Sequence, residues 1–80
     1  MNPKVYTIRH LKLAGQRMWI VDLIMLAEFA ESKGEARRTI RQGGVKFNEQ
    51  VIRDEMAQID LSDGNILRAG KRWAALIESD

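Results

Sequence analysis

Eighty residues allow a single domain, and a chain this short buries only about 60–65% of its unfolded surface, so its core must be small. With no cysteine it has neither a disulfide nor a thiolate metal site, and its longest apolar run falls far short of the ~20 residues that span a bilayer. The net charge of +2 is nearly balanced but unevenly spread: Lys33, Arg37, Arg38, Arg41 and Lys46 stand against Glu35 alone, giving Ser32 to Phe47 +4 and the remainder −2. The opening MNPKVYTIRH has no apolar centre of the kind a signal peptide needs, so a soluble, cytoplasmic protein without a membrane partner is expected.

Lys4 to Arg9 alternates loosely through Val5, Tyr6 and Ile8, which predicts a short strand or an ordered linker, and Gly15-Gln16-Arg17 reads as a break. Ile20 to Ala30 is the strongest helical signal: Ile20, Leu23, Ile24 and Ala27 share one face, and Val21, Met25 and Phe29 lie on another. Ser32 to Gln42 predicts a second helix opened by a Ser32-x-x-Glu35 capping box. Ala36, Thr39 and Ile40 fall on one side of that helix; Lys33, Arg37, Arg38 and Arg41 span an arc of roughly 140° on the other, at 100° per residue. Gly43 is suited to end it in a left-handed conformation. Val45 to Asn48 then alternates with period two, Asn48-Glu49-Gln50 reads as a turn, and Val51-Ile52 begins a return strand. Arg53 to Ser62 reads as a polar loop in which Met56, Ile59 and Leu61 pack, and Asp63-Gly64 as a turn. Ile66 to Arg68, Ala69-Gly70-Lys71 and Arg72 to Ile77 read as strand, tight turn, strand.

The parts for catalysis are missing. His10 is the one histidine, the carboxylates Asp54, Glu55, Asp60 and Asp63 fall where loops and turns ordinarily carry them, and no phosphate-cradling glycine motif opens a helix. The basic helix is different. A solvated helix face usually mixes signs through i,i+4 pairs, whereas Lys33, Arg37 and Arg41 repeat one sign at that spacing. Guanidinium groups in one arc hold phosphates by paired hydrogen bonds, so an external polyanion is expected, a nucleic acid before an acidic protein. Trp19 and Trp73 are expected in the core rather than stacked on bases.

Ser32-Lys33-Gly34-Glu35-Ala36-Arg37-Arg38, with Ile40, Gln42-Gly43-Gly44-Val45 and Asn48, resembles the S4 RNA-binding domain family. The resemblance is nearest to the C-terminal S4-like domain of bacterial tyrosyl-tRNA synthetases, through Trp19-Ile20-Val21-Asp22-Leu23 and Leu67-Arg68-Ala69-Gly70-Lys71-Arg72. It implies an α+β, S4-like (αL) fold, two helices packed on a small, mostly antiparallel curved sheet. It also implies a domain over 18–80, with 1–17 a linker remnant or a short N-terminal strand. By the same resemblance Ser32, Lys33, Glu35, Arg37, Arg38, Arg41, Gln42 and Lys46 form an RNA face. The implied ligand is tyrosine tRNA, gripped at its variable arm and anticodon stem, with no metal or cofactor. The HIGH and KMSKS signatures of the parent enzyme's active site are absent, so the chain reads as a non-catalytic, severed part of a synthetase. Met25 or Phe29 would then face the missing catalytic domain. Where that family often has glycine after the hairpin asparagine, this chain has Glu49, and a positive φ there costs a non-glycine about 1 kcal/mol or more. Two other readings remain: a free-standing S4 protein on ribosomal RNA, and an interaction module that docks an acidic partner.

Overall fold

A computed structural model describes residues 5–11, 15–62 and 64–78; Lys4, Lys12-Leu13, Asp63 of the expected turn, and the side chain of His10 lie outside the described residues. In chain order the elements are β1 (Val5–Leu11), β2 (Arg17–Trp19), α1 (Ile20–Leu26), α2 (Lys33–Arg41), β3 (Val45–Phe47), β4 (Gln50–Val51), β5 (Gln58–Asp60), β6 (Ile66–Ala69) and β7 (Arg72–Glu78). Among the described residues the main sheet runs β1-β7-β6-β3-β4, antiparallel except for the parallel β1–β7 pair, and β2 pairs with β5 as a separate antiparallel ribbon. This is the α+β, S4-like arrangement that the motif implies.

The core lies between the helices and one face of the sheet. Ile20, Val21, Leu23 and Ile24 of α1 and Ala36 and Ile40 of α2 are buried in one cluster with Val45, Leu67, Ala74 and Leu76. Strand alternation decides which sheet residues join it. Leu67 stands opposite Phe47 and Ala74, and Val45 opposite Ala69, so all face inward. Lys46, Arg68 and Trp73 form the adjacent cross-strand row and therefore face outward. Trp73 is half-buried there, not a core residue as expected, because Ala74 and Leu76 take the inward positions of β7.

The first helix is shorter than its apolar pattern. It stops at Leu26, and Glu28 enters the left-handed region at φ 60°. The Glu28 N–H donates to the Met25 carbonyl at 3.0 Å and the Phe29 N–H to the Ile24 carbonyl at 3.1 Å, which is the Schellman pattern. That reversal swings Phe29 back over the core, where it is 7% exposed. Phe29 is therefore no outward docking residue; Met25 is half-buried against the core, and Leu26 is the exposed one at 45%.

Two elements depart from the sequence reading. Arg17, expected in a break, begins β2, and Gln58–Asp60, expected in a loop, is β5; Arg17 pairs with Asp60 across them, its Nε donating to Oδ1 at 2.9 Å. That hydrogen bond, and then the carboxylate's charge, raise the pKa of the Arg17 guanidinium. Ile59 and Leu61 are buried as expected, whereas Met56 is 67% exposed.

Candidate nucleic-acid interface

Ser32 caps α2: its Oγ accepts the Glu35 N–H at 3.1 Å, which satisfies one of the free donors at the helix start. Glu35 is the acid of the first turn and Arg38 and Arg41 are the bases of the last, each sign placed to complement the helix dipole. The helix ends in a second Schellman turn, with the Gly43 N–H on the Ile40 carbonyl and the Gly44 N–H on the Thr39 carbonyl, both at 3.0 Å. Gly43 has φ 77°, and a Cβ there would come within 2.9 Å of the Arg53 guanidinium. The left-handed φ is what calls for glycine here; the exposed Arg53 side chain could move aside for a Cβ.

Ala36 and Ile40 anchor the helix in the core, so the opposite arc faces solvent. Ser32, Lys33, Glu35, Arg37, Arg38, Arg41 and Gln42 are all exposed. The structure brings Lys33, Arg37, Arg38 and Arg41 together on that arc. Lys46 is exposed but belongs elsewhere, on the outward face of the sheet. There, with Asn48, Glu49, Ile66 and its cross-strand neighbour Arg68, it lines an open groove of about 550 Å³.

The arc is less uniformly repulsive than its sequence suggests. Lys33 Nζ lies 3.7 Å from Asp22 Oδ1 on α1, and Arg41 Nε lies 3.2 Å from Glu55 Oε2 in the loop before β5. Trp19 is half-buried rather than in the core. Its ring lies beneath two of the cations, with Lys33 Nζ 5.6 Å and Arg37 Cζ 5.3 Å from the centroid. Its Nε1–H donates to the Glu55 carbonyl at 2.7 Å. Sequence reasoning missed these contacts because Trp19, Asp22 and Glu55 are remote from α2 along the chain; only the apolar face, by folding α1 and the loop against α2, brings them there. No group of three or more metal-ligating side chains converges among the described residues, and no helix there is long and apolar enough to cross a membrane.

The model of the S4 domain family matches residues 18–70. The chain belongs to the S4 domain family. Relatives that cover most of it are tyrosine–tRNA ligases. That of Moorella thermoacetica is 39% identical over 69 residues, 86% of this chain and 17% of the ligase. That of Dehalococcoides mccartyi is 41% identical over 58 residues, 72% of this chain and 14% of the ligase. That of Chlorobium chlorochromatii is 43% identical over 63 residues, 78% of this chain and 16% of the ligase. The chain therefore spans about a sixth of the length of these relatives, and the S4 resemblance seen in the sequence is confirmed.

Proposed function

We propose that this S4 domain binds tRNA without catalysing a reaction, as the C-terminal part of a tyrosyl-tRNA synthetase, in the cytoplasm. The carrying observation is the exposed arc of α2, where Arg37 and Arg38 make no ion pair among the described residues and offer their guanidinium edges to solvent. A planar guanidinium matches two phosphate oxygens, and an arc of them follows a curved sugar–phosphate backbone. Ser32 and Gln42 flank the arc with neutral hydrogen-bonding groups, Lys33 supplies a point charge at the helix start, and the Glu35 carboxylate complements the dipole there. Lys46 meets a further stretch of the same RNA across the sheet.

The ligand is tyrosine tRNA, contacted at its long variable arm and anticodon stem, and the partner within the parent chain is the catalytic domain. The relatives' activity supports this choice over ribosomal RNA. A gel-shift titration of tyrosine tRNA against the same tRNA with its variable arm shortened tests it. Weaker binding of the shortened RNA is expected; equal binding of the two would overturn the assignment of the arm.

A further inference from the structure

We propose that Trp19 and Glu55, neither of them on α2, set the state of its cations: Trp19 holds Lys33 and Arg37 in the array that RNA meets, and Glu55 occupies Arg41 until a phosphate replaces it. This rests on the RNA-binding reading above. The geometry is a short relay. Asp54 closes the loop on itself, its Oδ1 accepting the Met56 N–H at 2.9 Å and its carbonyl the Ala57 N–H at 3.1 Å. The Ala57 carbonyl in turn accepts the Ile20 N–H at 2.9 Å, tying the loop to the start of α1. Glu55 is thereby fixed with its backbone carbonyl on the Trp19 Nε1–H at 2.7 Å and its carboxylate 3.2 Å from Arg41 Nε.

The two halves act in opposite senses. Long cationic side chains lose rotamer freedom when they grip a phosphate, and a ring face that already restrains Lys33 and Arg37 removes part of that loss while leaving their charge available. The Glu55 carboxylate instead competes for Arg41. With the Arg41 side chain 64% and the Glu55 side chain 34% exposed, the pair is weak enough for a polyanion to exchange it. The α2 surface therefore carries its nearer competitor, Glu55 at 3.2 Å, at its C-terminal end and its brace at its N-terminal end, where Asp22 stands off from Lys33 at 3.7 Å.

The test measures the affinity of the 80-residue chain for a fluorescently labelled tyrosine tRNA transcript, with thermal melts to correct for the folded fraction. Trp19→Leu is expected to weaken binding about two- to five-fold, with most of the loss recovered in Trp19→Phe, which keeps a ring face. In a Lys33→Ala/Arg37→Ala background the same Trp19→Leu change is expected to cost nothing further, since the cations it braces are gone. Glu55→Gln keeps the backbone carbonyl and removes the competing charge, so it is expected to tighten binding about two- to five-fold and steepen the salt dependence by about one ion. Equal losses from Trp19→Leu in both backgrounds, or unchanged or weaker binding by Glu55→Gln, would overturn the proposal while leaving RNA binding intact. If Trp19→Leu does not fold, Trp19→Phe and Glu55→Gln decide it: a Glu55→Gln chain that binds no tighter overturns it. Loss of all sensitivity to Lys33→Ala/Arg37→Ala would overturn the RNA reading itself, and the brace with it.

Discussion

Asn48 and Glu49 turn the β3–β4 hairpin with φ 51° and 70°, the left-handed pair that a two-residue hairpin of this hand requires. Asn48 is fixed there by Ile66 from both sides, its N–H on the Ile66 carbonyl and its Oδ1 on the Ile66 N–H, each at 2.8 Å. Among the described residues Glu49 has no such compensating hydrogen bond, and at φ 70° it carries the strain anticipated from its departure from the family pattern. Glu49→Gly is therefore expected to stabilise the domain by about 0.5–1 kcal/mol, seen as a higher melting temperature; a lower one would show that the glutamate makes a contact worth more than its strain. At the proposed binding face, Arg37→Ala is expected to weaken tRNA binding by ~1–2 kcal/mol, the scale of a charge-assisted hydrogen bond, while hardly moving the melt. Arg41→Ala should cost less affinity than Arg37→Ala, because Glu55 already holds Arg41. Arg37→Lys should restore only part, since an ammonium lacks the planar fork. Glu35→Ala is the opposite case: it removes an acid from the first turn of α2, so a stability loss of about 0.3–1 kcal/mol with no loss of affinity is expected. Titrations and melts on the four proteins separate these outcomes.

The two helices show which elements a sequence reveals and which it hides. The second was legible almost to the residue, because its start and stop are chemical: a serine cap on Glu35 and a glycine in the left-handed region. The first was legible in its buried face but not in its length, because its stop is a glutamate at φ 60°, a residue that sequence rules assign to helix interiors. The consequence fell on Phe29, which the wheel set on a second face with Val21 and Met25, which the resemblance turned toward a missing domain, and which the Schellman turn carries inward. The β2–β5 ribbon was hidden for another reason: Arg17-Met18-Trp19 follows closely on Gly15 and does not alternate, and Gln58-Ile59-Asp60 shows a single apolar residue inside a polar run. Melts of α1 variants follow from this corrected geometry. Leu23→Ala is expected to cost ~2–5 kcal/mol and Phe29→Ser about as much, both opening a cavity in a fully formed core. Leu26→Ser, at 45% exposure, should stay within about 0.5 kcal/mol. If Phe29→Ser proved as mild as Leu26→Ser, the inward turn of Phe29 would be refuted.

For the molecule as a whole, charge is partitioned by surface. The arc of α2 holds Lys33, Arg37, Arg38 and Arg41, and Lys46 stands apart on the sheet's outward face. The candidate residues were legible because one sign repeats at helical spacing; how far each is already neutralised was not, since Glu55 and Asp22 reach the helix only through the tertiary fold. That neutralisation fixes a measurable number. Each phosphate newly neutralised releases counterions and contributes about −0.7 to −0.9 to the slope of log affinity against log salt. Five cations are in place, but Arg41 exchanges one carboxylate for another anion and releases little. About four contacts therefore count, and a slope of about −3 is expected for tRNA. The longer Lys33–Asp22 pair, with both side chains about half exposed or more, is screened and is not subtracted. Arg37→Ala should flatten the slope by about one contact, whereas Leu26→Ser should leave it unchanged. A slope near zero, or one indifferent to Arg37, would mean that the arc does not meet a phosphate backbone and that its arginines serve the folded chain alone.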